Sequence, residues 1–220
     1  MGADRALRHP LAKPAVFAAC LIPLGMLLFR AATGGLGANP IEYCNRYLGD
    51  WALRFLLISL AVTPLREATG WAAVGRLRRM LGLFAFAYVV LHFTSYVGLD
   101  QFFDFAAIGR EIVKRRYITL GMVAVVLLLP LAVTSTDGMV RRLGGRRWRA
   151  LHRLVYVIAP LGVAHHWMMV KKDLTWPMVH AAVLALLLGW RVAARLRHNA
   201  RAANSGTRAC AKPPSPSPSS

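Results

Sequence analysis

The chain has 220 residues, 56% of them hydrophobic and only 17% charged, and 28 Lys and Arg against 9 Asp and Glu give a net charge of +19. A soluble domain carries nearer a quarter charged residues, and nucleic-acid binders do not usually combine a pI near 11.4 with long apolar runs and a mean hydropathy of +0.44. The balance argues against a cytosolic enzyme and a nucleic-acid partner, and for an integral membrane protein with basic loops on one side.

In chain order, residues 1–13 are a basic segment holding Arg5, Arg8 and Lys13, followed by an apolar run at 14–29. Five further runs lie at 51–65, 81–99, 117–134, 151–170 and 174–192. Most approach the roughly 17 to 25 residues that a spanning helix needs, and no alternating strand pattern competes. The predicted fold class is therefore all-α, an integral membrane six-helix bundle over 14–195. The first run also resembles a secretory signal, but Arg30 interrupts it and no small-x-small cleavage site follows, which favours an uncleaved helix. Residues 196–220 end in Pro-Pro-Ser-Pro-Ser-Pro-Ser-Ser and read as a disordered cytoplasmic tail.

Charge sets the orientation. With the N-terminus inside, the segments 1–13, 66–80, 135–153 and 191–220 hold 19 of the 28 basic residues and three of the nine acidic ones, a net +16 inside against +3 elsewhere. That is the positive-inside pattern, and it predicts both termini on the cytoplasmic side. The arginines 141, 142, 146, 147 and 149 hold their loop against anionic lipid, or form a docking surface. Trp51, Trp167 and Trp176 fall near predicted outer boundaries, as aromatic belts do, and Arg54, four residues after Asp50, reads as a snorkelling or i,i+4 paired residue rather than a catalytic one.

No dinucleotide, Walker, nucleophile-elbow or zincin pattern is present, so no catalytic residue is assigned. Cys20, Cys44 and Cys210 form no C-x-x-C and suggest neither zinc nor a disulfide framework. Chemistry must sit among the helices or on a partner.

Intramembrane histidines are functional suspects because they are costly to bury. His9 and His198 lie in basic terminal segments, and His180 has no obvious companion. His92 stands 13 residues beyond Arg79, about 20 Å along a helix. His165 and His166 stand 12 and 13 residues beyond Arg153 on a helix running the same way, so they share that depth; His152 lies near the inner end. Two imidazoles on facing helices at one depth suit the axial positions of a b-type haem, since no C-x-x-C-H exists for covalent attachment. Interhelical hydrogen bonding or a proton relay explains them equally well at this level. A 14-residue step returns closer to the starting helix face than a 13-residue one, so ideal winding favours His166 over His165 as the residue aligned with His152. Pro160 between them can alter the winding.

The runs Asn39-Pro40-Ile41-Glu42, Leu60-Ala61-Val62-Thr63-Pro64-Leu65-Arg66, Arg78-Arg79-Met80-Leu81-Gly82 and Leu151-His152-Arg153-Leu154-Val155-Tyr156, with His92 and His165, resemble the MsrQ (YedZ) family over about 14–195. These are haem-binding membrane subunits with a ferric reductase-like transmembrane fold. The resemblance implies a b-type cytochrome of the bacterial inner membrane with one or two haems and FMN. It would take electrons from the quinone pool or a cytoplasmic flavin reductase and pass them to MsrP, a periplasmic molybdopterin subunit that reduces methionine sulfoxide in proteins. Carried over by position, His92 and His165 ligate the outer haem and His152 belongs to an inner one. Where relatives among the oxidases carry a second inner histidine, this chain has Arg78 and Arg79, better suited to haem propionates than to iron. A stand-alone ferric or quinone-linked reductase of the same fold is the alternative.

Overall fold

The computed structural model describes residues 2–170 and 173–210, with side chains from 4–170 and 173–200. Among these it contains ten α-helices: α1 (Gly2–Arg8), α2 (Ala12–Ala32), α3 (Pro40–Thr69), α4 (Arg78–Ser95), α5 (Phe105–Lys114), α6 (Arg116–Val133), α7 (Asp137–Leu143), α8 (Gly145–Leu151), α9 (Val155–Met169) and α10 (Thr175–Cys210). A 3-10 helix, Ala72–Leu77, leads into α4, a π-helical stretch, Tyr96–Asp100, leaves it, and a second 3-10 turn, His152–Leu154, precedes α9.

Five helical segments among the described residues are long and apolar enough to cross a membrane: Ala12–Ala32, Pro40–Thr69, Ala72–Asp100, Arg116–Val133 and Thr175–Ala200. The expected fifth segment, 151–170, forms the 15-residue α9 behind its 3-10 turn, shorter than the other five. Half of the α3 span is buried inside the protein but only 17% of the spans of α2, α6 and α10, so α3 is the central helix. It packs along α4, α9 and α10, and Leu53, Leu56, Leu60, Phe84, Tyr88 and Ile158 fill the interior. Phe29, Val126 and Leu186 point outward, as lipid-facing side chains do.

Two expected boundaries are corrected. The second helix starts at Pro40, not near 51, because the Asn39-Pro40-Ile41-Glu42 run is a helix start: Asn39 caps the Glu42 N–H at 3.2 Å, its amide donates back to the Glu42 carboxylate at 2.9 Å, and Pro40 fits the first turn. Polar Asn45, Arg46 and Asp50 hid that turn from hydropathy. The last helix continues to Cys210 rather than ending near 192, with the strong helix formers Ala193, Ala194, Arg195, Leu196 and Arg197 carrying it past that point. The tail expected from 196 is thus helical to Cys210, and the Pro- and Ser-rich 211–220 lies outside the described residues.

Prolines inside helices explain several long-range contacts. Pro23 breaks the α2 ladder, and the buried Tyr88 hydroxyl inserts between Cys20 and Leu24, donating to the Cys20 carbonyl and accepting from the Leu24 N–H, each at 3.0 Å. Pro64 has no N–H to offer the Leu60 carbonyl, and Arg191 of α10 donates to that oxygen at 2.7 Å while lying over the Tyr156 ring. The conspicuous Leu60-to-Arg66 run therefore marks a junction of α3 with α10.

The segments expected on the inner side meet at one end. Asp4 accepts from the Ala73 N–H at 3.1 Å, Arg76 donates to the Leu7 carbonyl at 2.7 Å, Arg79 pairs with Asp137, and Trp190 donates to Glu67 at 3.0 Å. The Ala73 bond holds the Asp4 carboxyl below the ordinary carboxylate range, and the Arg79 bond does the same for Asp137. A depressed carboxylate gives its stabilisation above the unfolded pKa and loses it as pH falls through the folded one. Hydrogen-exchange protection of the Ala73 amide is accordingly expected to drop on acidification below the usual carboxylate range. An Asp4→Asn chain should show weaker protection that no longer follows pH there.

Candidate functional site

His92 and His165 come together. Their ring centroids are 6.2 Å apart at an interplanar angle of 69°, and both line a cavity of about 910 Å³ between α3, α4, α6 and α9. Each ring is seated in the same way. His92 Nδ1 lies 2.9 Å from the Asn45 carbonyl oxygen, and a Cβ at Gly49, one turn on, would lie 3.1 Å from the ring. His165 Nδ1 lies 2.6 Å from the Tyr117 carbonyl oxygen, and a Cβ at Gly121, again one turn on, would lie 3.0 Å away. Two helices thus each present a glycine groove with a carbonyl at its edge, and each groove receives one imidazole.

The carbonyl fixes the chemistry of each ring. An oxygen acceptor requires Nδ1 to carry the proton, which leaves Nε2 with its lone pair, the tautomer a metal ligand needs. With metal–imidazole bonds of about 2.0–2.1 Å, two axial rings stand roughly 6 Å apart at their centroids. The observed pair and the apolar cavity walls of Leu53, Ala85, Val89 and Leu128 therefore fit a flat macrocycle held between two imidazoles.

His152 is elsewhere. Its Nε2 lies 3.2 Å from the Thr134 hydroxyl, its ring stacks on Trp148 at 3.9 Å, and it lines a smaller cavity of about 390 Å³ with Arg78 and Arg79. Arg79 is engaged with Asp137. No second histidine lines this cavity among the described residues. The inner set is thus gathered in one place, but without a matched ligand pair.

His166, which ideal winding favoured, also lines the larger cavity, but its ring partner is His180 of α10, 5.2 Å away, whereas the ring paired with His92 is that of His165. His180, expected to stand alone, has His166 and Asp50 as companions. Arg54 pairs with Asp50 as its spacing predicted, and lies over the rings of Trp51 and Trp176. Gly49 and Gly121 were missed from sequence; a lone glycine inside an apolar helix was the available signal for Gly121.

At the cavity rim lie the π-helical Tyr96–Asp100 and Phe102, and Phe102 and the adjacent Phe103 are left-handed, with φ of 46° and 62°. Such irregular backbone concentrates at functional sites.

Paired, pre-oriented histidines face one cavity inside a bundle of membrane-length helices, and the family model described as Ferric reductase like transmembrane component matches residues 48–163, which makes this a ferric reductase-like membrane protein by type. Similar proteins named "Protein-methionine-sulfoxide reductase heme-binding subunit MsrQ" occur in several bacteria. That of Rhodospirillum rubrum is 59% identical over 197 residues, covering 89% of this chain and 95% of the relative. That of Herminiimonas arsenicoxydans is 50% identical, covering 90% and 94%, and that of Caulobacter vibrioides is 51% identical, covering 80% and 84%. The chain belongs to the MsrQ family of ferric reductase-like membrane proteins.

Proposed function

We propose that this chain is a b-type haem membrane subunit that conducts electrons across the bacterial inner membrane, with both termini cytoplasmic and with His92 and His165 as the axial pair of its outer haem. The observation that carries this reading is the repeated groove: two buried imidazoles, each fixed at Nδ1 by a backbone carbonyl and facing one cavity at a centroid separation of 6.2 Å. Such a haem, with both axial positions closed, would supply one-electron transfer rather than oxygen chemistry.

The chain's own residues supply the positioning. Gly49 and Gly121 let the rings approach the backbone, Asn45 and Tyr117 hold the Nδ1 protons, and Leu53, Ala85 and Leu128 keep the cavity apolar. His152, with Arg78 and Arg79 as contacts for the propionates, is proposed to serve a second, inner haem position. The relatives' name supports methionine sulfoxide reduction on a partner, for which MsrP is proposed, with the quinone pool or a cytoplasmic flavin reductase as donor. The arginines of 141–149 are proposed as the surface for that donor or for an FMN phosphate.

Pyridine-haemochrome quantification and a reduced-minus-oxidised spectrum of the purified chain test the reading. His92→Ala and His165→Ala are each expected to abolish the outer-haem signal, and full haem retention in both would overturn the ligand assignment. A ratio of haem to chain near two would show the inner position to be loaded as well. The stand-alone reductase reading is favoured by the description of the matching family; it predicts reduction of a ferric chelate by the chain without a partner.

A further inference from the structure

Beside His165, at the margin of the larger cavity, Asp50 of α3, His166 of α9 and His180 of α10 converge. One ligand atom from each lies within 4.8 Å of the other two. Asp50 Oδ1, His166 Nε2 and His180 Nδ1 are all buried without a hydrogen-bond partner, and His180 Nε2 is 3.8 Å from Asp50 Oδ1. His180 is only 4% exposed. Three buried polar atoms without a hydrogen bond, on side chains gathered in one place, ask for an occupant, because a buried donor or acceptor without a partner keeps its desolvation penalty.

We propose that Asp50, His166 and His180 bind a divalent transition-metal ion of the zinc or copper type, at a site separate from the haem histidines. The set is two imidazoles and one carboxylate, the nitrogen and oxygen donors that borderline ions prefer, whereas magnesium and calcium call for oxygen cages. Arg54 pairs with the Asp50 carboxylate while lying over the Trp51 and Trp176 rings, which orients the acid. Its charge opposes any cation, so the two imidazole donors must carry the affinity, and imidazole suits zinc and copper. Bonds of about 2.0–2.1 Å bring ligand atoms to roughly 3.4 Å from one another, and rotation of the Asp50 and His180 side chains closes the remaining gap. The ion would tie α3, α9 and α10 together one residue from His165. Its binding does not depend on haem.

The test uses the full chain in detergent, stripped with a chelator and titrated with zinc by calorimetry. One ion per chain is expected, with affinity falling about tenfold or more in both His180→Gln and Asp50→Asn, while circular dichroism of the variants stays that of the native chain. In the native chain, copper is expected to give an electron paramagnetic resonance spectrum with coupling to two imidazole nitrogens. Absence of stoichiometric uptake, undiminished uptake in both variants, or a copper spectrum without imidazole coupling would overturn the site and leave a bridging water as its occupant.

Discussion

Gly121→Ala is expected to weaken haem binding by about 10–100-fold, the usual effect of disturbing the groups that orient a ligand, while leaving the helix itself no less stable. The added Cβ would meet His165 Nδ1 and Cε1 at 3.0 Å, and the ring cannot retreat without lengthening a 2.6 Å bond to the Tyr117 carbonyl. Gly49→Ala should act in the same direction but less strongly, since its contact is 3.1 Å and the Asn45 bond is 2.9 Å. Alanine otherwise favours a helix over glycine by roughly 0.5–1 kcal/mol. Haem content and apo-chain stability should therefore move in opposite directions, which a general folding defect would not produce. Gly25→Ala is the control, because nothing lies within 4 Å of its added Cβ, and it should keep its haem. Haem titration of the apo-chain in micelles, followed at the Soret band, measures all three; unchanged affinity in Gly121→Ala would show that the groove does not position the ring.

Tyr88→Phe should cost about 2–5 kcal/mol, since it leaves both the Cys20 carbonyl and the Leu24 N–H without the hydroxyl that now serves them. Neither group finds water in the hydrocarbon region. The ring itself stays, so packing against Phe55 is kept and the loss reports the hydroxyl alone. A cost under about 1 kcal/mol would mean that Cys20 and Leu24 re-form their own helical bond across the Pro23 kink. Unfolding of the purified chain in mixed micelles, native against variant, measures the difference.

How much of this was legible in the sequence differs from element to element. Runs 14–29 and 117–134 lie within α2 and close to α6 because unbroken apolar stretches leave hydropathy little to misread. The start of α3 was hidden because its first turns carry Asn45, Arg46 and Asp50, and a capped start is written in side-chain hydrogen bonds rather than in hydropathy. His92 and the His165–His166 pair were visible as intramembrane histidines at one depth. The choice between the last two was not, since adjacent residues differ by 100° around a helix and the neighbouring helices decide which direction is useful.

An all-helical membrane chain, strongly basic and with histidines placed at matching depth on two helices, follows from the residues alone. Apolar length and one-sided charge act locally, so they can be read without a fold. It took the packed bundle to show that Gly49 and Gly121 form matching grooves, that His165 rather than His166 faces His92, and that His180 meets Asp50 and His166. Those facts depend on which helices lie side by side and at what register, and residues far apart in the chain, such as Asp50 and His180, meet only once the helices have packed.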